Sequence, residues 1–205
     1  MNVDYSVVVD RVQNDDEYNA LFQKIYGEQP DSANIANAIA EFIRSLEGDG
    51  TAPHDQWLNE DDRKAMTASQ MRGREVFIGD GKCFDCHFGP DFTGDEFKNI
   101  GLYDGKTLLD KGRFDITGDS ADLGKFKVPG LRNVTLTAPY MHNGQFKTLE
   151  EVIEYYDNPY AFIEAPINID TLMLEPLNLS AKEKQDLLNF LHSLTDATKP
   201  TDYLR

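Results

Sequence analysis

Cys83-Phe84-Asp85-Cys86-His87 is the stretch of this chain whose chemistry is most narrowly specified by residue type and spacing. It reads C-x-x-C-H, the attachment sequence of a c-type haem. Two thiols reach the two vinyl groups on one porphyrin edge, and the adjacent histidine sits under the iron. Two intervening residues on the first turn of a helix put both sulfurs on one side, with the imidazole just beyond. His87 is then the proximal iron ligand. A backbone carbonyl is the expected acceptor for its other ring N–H, which fixes the ring and raises its basicity. Competing uses fit less well. A structural zinc site needs four Cys/His ligands, whereas the chain has 2 cysteines. A thioredoxin-like pair expects a βαβ setting that the sequence pattern lacks. A plain disulfide leaves His87 unexplained.

The chain that must position this motif has 205 residues, 40% of them hydrophobic, enough to bury a core. Asp+Glu total 36 against 20 Lys+Arg, a net charge of −16. That balance argues against nucleic acid and anionic membrane surfaces, and suits a cationic protein partner or simply a well-solvated surface. No run approaches the roughly 20 apolar residues of a membrane span. Met1-Asn2-Val3-Asp4-Tyr5 lacks the basic start and apolar run of a signal peptide. Covalent haem attachment in bacteria nevertheless happens outside the cytoplasmic membrane. An exported, periplasmic protein is therefore expected, and the chain reads as processed or truncated.

Helical patterns fill both ends. Residues 6–27 read as one helix, with Asp15, Asp16 and Glu17 near a helix start, Gly27 as the stop and Pro30 after it. Residues 32–47 form a second, capped by Ser32 or Asp31, whose stripe of Ile35, Ile39, Phe42, Ile43 and Leu46 reads most simply as core. Gly48 to Pro53 reads as a linker. The single tryptophan, Trp57, reads as a packing residue at a domain junction, although a Trp beside a haem also carries electrons. Residues 67–78 form a helix entering the haem motif, with Met71, Val76 and Phe77 inward and Gly79 and Gly81 ending it.

Residues 88–147 show little helical periodicity and should wrap the haem as loops, with a short hairpin at most. Phe97, Ile100, Leu102 and the run Phe126 to Leu131, Pro129 included, are the expected pocket walls, and Arg132 and Lys127 the cations for the haem's carboxylates. Capping boxes open two final helices at Thr148 and Ser180; Leu187, Leu188, Leu191 and Leu194 form the apolar face of the last.

The run from Phe126 through Pro129-Gly130-Leu131-Arg132-Asn133-Val134 to Pro139-Tyr140-Met141-His142-Asn143-Gly144 resembles the signature of bacterial dihaem cytochrome c peroxidases and their relative MauG. Thr148-Leu149-Glu150-Glu151, Asn99-Ile100-Gly101-Leu102 and Asp110-Lys111-Gly112-Arg113 fall in the family's order. The resemblance runs from about residue 67 to 195, and more weakly over 6–47. It implies an all-α fold: a cytochrome c-like haem domain with long loops and little β structure over 67–205. Residues 1–48 would then be a helical remnant resembling the end of the family's first domain, with 49–66 as linker.

The family pairs a peroxidatic haem with a higher-potential haem that feeds it electrons. Residues 67–205 resemble the electron-transferring half, and this sequence holds one C-x-x-C-H. The resemblance implies one covalent haem c on Cys83 and Cys86, iron bound by His87, and electron transfer supporting the reduction of hydrogen peroxide to water. A free-standing monohaem electron carrier is the alternative, and the parent protein is read as the enzyme. The implied partners are a small, cationic donor cytochrome or cupredoxin, peroxide, and a second copy in a homodimer. The family's calcium carbonyls match Thr137 and Pro139, and its P-Y-x-H-x-G histidine matches His142, which could also simply pack. The sixth iron ligand stays open. Tyr156 is the position where the peroxidases carry methionine and MauG tyrosine; Tyr155 is its neighbour, and Met141 and Met173 are the alternatives. Tyrosinate would stabilise ferric iron, and methionine would raise the potential. MauG-like oxidation of a protein substrate ranks below peroxide reduction.

Overall fold

A computed structural model of the chain describes residues 4–46, 50–59 and 62–197. Within these the protein is all-α, with eight α-helices joined by long loops and one minimal strand pair. It divides into two compact units, one formed by helices before residue 47 and one from residue 50 onward. Gly48 and Asp49 of the expected linker, Glu47 of the expected second helix, and residues 198–205 lie outside the described residues.

The first unit holds α1 (Tyr5–Gln13), α2 (Asp16–Tyr26) and α3 (Ser32–Ser45). The single helix expected over 6–27 is two, because Asp15 takes an extended backbone and caps α2, its carboxylate accepting from Glu17 and Tyr18. The acidic cluster thus marks a real helix start inside an apparently continuous pattern. Gly27 ends α2 at φ +76. Asp31 and Asn34 close a reciprocal capping box on α3. The α3 stripe differs from expectation. Ile39, Phe42, Ile43 and Leu46 are exposed, and Ile35 is only half-buried.

The second unit begins with α4 (Pro53–Asn59), which occupies the middle of the linker expected over 49–66. Ala52, His54 and Asp55 are buried. The His54 amide donates to the Ser193 carbonyl at 3.0 Å, and the Ala52 amide to the Asp196 carboxylate at 3.2 Å. A short helix with no room for periodicity escapes pattern reading, yet it is stitched into the core.

The core is set by α5 (Ala68–Ile78) crossing α8 (Ala181–His192). The crossing point is Gly73: a Cβ there would run into the Asp186 backbone carbonyl and come within 2.8 Å of the Phe190 Cβ. Phe77, Leu187, Phe190, Leu191 and Leu194 are buried around it, with Met71 and Val76 packed alongside. Capping boxes at Thr67, Thr148 and Ser180 start α5, α7 (Leu149–Asp157) and α8. A second apolar cluster gathers Leu102, Phe146, Tyr155 and Ile163.

Between α5 and α7 the chain is mostly loop, with α6 (Phe114–Thr117) as one short helix. The hairpin expected there is instead a long-range antiparallel pair, β1 (Phe97–Lys98) with β2 (Phe126–Lys127). Buried Asn99 ties the loops together. Its amide donates to the Leu123 and Ile167 carbonyls, each at 2.9 Å, and its oxygen accepts from the Gly101 amide at 2.8 Å.

Candidate haem site

The C-x-x-C-H motif sits on a 3-10 turn, Cys83–Asp85, rather than the first turn of an α-helix. The turn still groups the three chemical residues, because the His87 amide donates back to the Cys83 carbonyl at 2.9 Å. Burial pushes the Cys83 thiol up to about 12 and raises Cys86, against the opposing pull of Lys98. Neither sulfur is the low-pKa thiolate of a redox or nucleophilic cysteine, and both are free.

His87 is fixed by its Nδ1, which lies 2.9 Å from the Phe92 carbonyl and 3.1 Å from the Pro129 carbonyl. Both partners are acceptors, so Nδ1 carries the proton and Nε2 keeps its lone pair. Burial lowers the His87 pKa, with the two carbonyls opposing.

A cavity of about 550 Å³ opens beside these three residues, within the usual range for cofactor sites. It lies where the two apolar clusters approach each other, and α7 faces all three regions. Leu149 and Ile153 belong to the first cluster and Tyr155 to the second, while Val152 and Tyr156 line the cavity. Of the expected walls, Ile100, Leu102, Val128, Pro129 and Leu131 are in place. Phe97 is not; it lies under the Arg113 guanidinium, 4.0 Å from ring to cation.

The expected carboxylate partner Arg132 also points elsewhere. Its guanidinium forms a two-pronged pair with buried Asp55, at 2.6 and 3.1 Å, and its Nε donates to the Pro90 carbonyl at 3.0 Å. The cations at the cavity are Lys82, Lys98 and Lys127. Lys98 stands 3.3 Å from Glu96 and 3.5 Å from Asp170, and Lys127 pairs with Asp95 at 2.8 Å.

The four distal candidates separate cleanly. Tyr155 is fully buried, its hydroxyl donating to the Ile100 carbonyl at 2.6 Å, and it does not line the cavity. Tyr156, Met141 and Met173 all do. Burial holds the Tyr156 phenol well above its usual pKa, and the facing Cys83 and Cys86 push the same way. Met141 has a left-handed backbone, φ +69.

Thr137 and Pro139 line the same cavity. Among the described residues no group of three or more His, Cys, Asp or Glu side chains gathers as a metal site beside them. His142 stacks on Phe126, rings 3.7 Å apart and 11° from parallel, with its Nε2 4.0 Å from Asp110. Trp57 packs on the first cluster between the Arg63 and Arg74 guanidiniums, 5.5 and 5.1 Å from its ring, outside the cavity.

Sequence reasoning missed Asp55, His54 and Asn99 as structural parts of the site. Only Asn99 had a signal, its place in Asn99-Ile100-Gly101-Leu102.

The family model for di-haem cytochrome c peroxidases matches residues 1–63. The chain is 32% identical to cytochrome-c peroxidase IdrP1 of Pseudomonas sp. (strain SCT), over 98% of this chain and 62% of that protein. It is 35% identical to the methylamine utilization protein MauG of Methylorubrum extorquens, over 95% of this chain and 54% of that one. A crystal structure of a MauG-like protein associated with microbial copper homeostasis superposes with a TM-score of 0.74 at 32% identity, covering 94% of this chain and 62% of the other. The chain therefore spans roughly three fifths of the length of relatives such as IdrP1.

Proposed function

The chain belongs to the bacterial di-haem cytochrome c peroxidase and MauG family, and from that premise we propose that it carries one haem c whose electron transfer supports reduction of hydrogen peroxide to water. The observation that carries this reading is the apolar cavity bounded by Cys83, Cys86 and the free Nε2 edge of His87. Cys83 and Cys86 would hold the porphyrin by thioethers, and His87 Nε2 the iron. Lys82, Lys98 and Lys127 would face the carboxylates, a task the Asp55-bound Arg132 leaves to them. Bound there, haem supplies one-electron chemistry, and peroxide reduction consumes two electrons and two protons per molecule. The fold around it would be the cytochrome c-like domain of the family's electron-transferring half.

Tyr156 is the proposed side chain at the sixth position, with Met141 next. Tyr156 faces both cysteines and its hydroxyl has no hydrogen-bond partner among the described residues. The net charge of −16 fits a cationic donor cytochrome or cupredoxin. Phe84 and Phe88, exposed beside the cysteines, offer that donor an apolar contact. Haem c attachment places the protein outside the cytoplasmic membrane; among the described residues no helix is long and apolar enough to cross one.

The test is the optical spectrum of haem-loaded protein, ferric and ferrous, before and after peroxide, with donor-dependent peroxide consumption alongside. Covalent haem that resists acid–acetone extraction in the wild type, and is released when Cys83 and Cys86 are both replaced by serine, is the expected result. Donor oxidation driven by peroxide and weakened by salt completes it. A chain that carries no covalent haem overturns the reading.

A further inference from the structure

Granting haem at this site, we infer that Asp55 on α4 is a positioning residue for the proximal imidazole, acting through Arg132 to hold together the two loops whose carbonyls accept from His87. The Phe92 and Pro129 carbonyls that share the Nδ1 proton belong to separate loops. Two bonds between those loops stand apart from Arg132, the Thr93 hydroxyl donating to the Val128 carbonyl at 2.7 Å and the Val128 amide to the Glu96 carbonyl at 2.8 Å; those nearest the Phe92 turn gather on Arg132 and its neighbour. Arg132 Nε donates to the Pro90 carbonyl at 3.0 Å and lies 3.3 Å from the Asp91 carboxylate, and the Leu131 amide donates to the Asp91 carbonyl at 3.2 Å. The far edge of the same guanidinium is seated on both oxygens of Asp55. A planar fork can serve two bodies at once in this way; an ammonium cannot reproduce it.

Phe92 needs such support. Its φ of +55 is a left-handed conformation that a bulky residue adopts only under constraint. That conformation belongs to the residue whose carbonyl meets His87. The buried Phe92 ring packs edge-on to His54, centroids 5.2 Å apart, against Phe77 at 6.0 Å and Phe190 at 6.3 Å, with the Arg132 guanidinium 6.0 Å away. α4 thus supports the proximal loop twice, through the His54 ring and through Asp55. The Asp55 carboxylate has no second hydrogen-bond donor among the described residues. His54 Nδ1 stands 3.6 Å away, beyond bonding range, and is itself unpartnered. Asp55 therefore depends on Arg132, and Arg132 depends on Asp55 for the orientation in which it reaches Pro90.

A hydrogen bond from the outer nitrogen of a ligating imidazole raises its donor strength toward the metal. Loosening the two carbonyls should weaken that donation and favour ferrous iron. Asp55→Asn, which keeps shape and loses charge, and Arg132→Lys, which keeps charge and loses the fork, should each raise the haem midpoint potential. Because both act through one contact, the double variant should move it no further than the larger single shift. Asp186→Asn, on the α5–α8 contact away from these loops, should lower thermal stability and leave the potential unmoved. In haem-free protein, nitrogen NMR of the His87 ring should show a single Nδ1–H tautomer in the wild type and a mixture in Asp55→Asn. That readout stands even where covalent haem fails to form, so the two readings fail separately. Unchanged potential and an unchanged tautomer in both single variants would overturn the inference and leave Asp55 a stability residue only.

Discussion

The two sides of the cavity are built by opposite means. On the His87 side, polar groups are committed: the imidazole N–H goes to two carbonyls, and Arg132 goes to Asp55, Pro90 and Asp91. Away from His87, several side chains with ligand chemistry line the space together, Tyr140, Met141, His142, Tyr156 and Met173 among them. The first arrangement fixes one geometry. The second leaves the choice of contact to whatever occupies the site. A proximal side with a single geometry and a distal side with a choice is how one scaffold can host haems of different potential, since the axial partner is the strong lever.

The comparison breaks most severely at the scaffold of the fixed side. Gly73→Ala places a methyl group inside the α8 backbone at Asp186. Helices cannot part there without opening the core that carries Phe77 and Phe190. The expected loss is about 3 kcal/mol, or roughly a 10 °C fall in melting temperature. Wild-type melting in this variant would mean that the α5–α8 crossing has slack, and the proximal side would lose its claim to rigidity.

A smaller effect comes from the carboxylate at the same crossing. Asp186 accepts from Arg72 at 2.7 and 2.8 Å, Lys182 at 2.7 Å and Ser69 at 2.5 Å, and these bonds, Arg72 first, hold its pKa far below the ordinary 3.8. A depressed folded-state pKa contributes stability that is complete above the unfolded value and disappears as pH falls toward the folded one. The contribution is therefore intact at neutral pH and drains away below about pH 4. Asp186→Asn should cost about 2 kcal/mol at pH 7 and flatten the acid limb of the stability curve. Parallel wild-type and variant curves from pH 7 to pH 2 would refute the assignment.

What the sequence made legible follows the same division. That Cys83, Cys86 and His87 stand together on one cavity was readable, because the motif keeps them within a single turn. The starts of α7 and α8 were readable because a capping box is local chemistry, satisfied within four residues. The pairing of Arg132 was not legible because its partner lies 77 residues upstream, on a helix too short to show a period. Its neighbour Leu131 does line the cavity, and one step along a loop is enough to turn a side chain away. The α3 stripe and the α8 face show the limit of periodicity itself. Both are regular apolar rows, yet Leu187, Leu191 and Leu194 are buried while Ile39, Phe42 and Ile43 are exposed. Period tells which residues share a face, and only tertiary packing tells what covers it.

The adjacent tyrosines of α7 give the sharpest form of the comparison, with the smallest effect on stability. Tyr155 and Tyr156 are consecutive, and both are held well above the usual phenol pKa by burial. Their hydroxyls differ in what they meet. Tyr155 donates to the Ile100 carbonyl; Tyr156 turns to the cavity. Tyr155→Phe removes the bond to the half-buried Ile100 carbonyl and should cost about 1.5 kcal/mol in a denaturant melt, with the haem spectrum unchanged. Tyr156→Phe removes a hydroxyl that bonds nothing among the described residues, so haem-free stability should stay within about 0.5 kcal/mol of wild type. Its ferric spectrum should change, because the cavity, lined by the two phenols Tyr140 and Tyr156, loses the one on which both cysteines act. If instead Tyr156→Phe left the ferric spectrum untouched, the sixth position would pass to Met141. The distal side would then resemble the proximal one after all, with its contact fixed by a loop whose left-handed Met141 is already set in place.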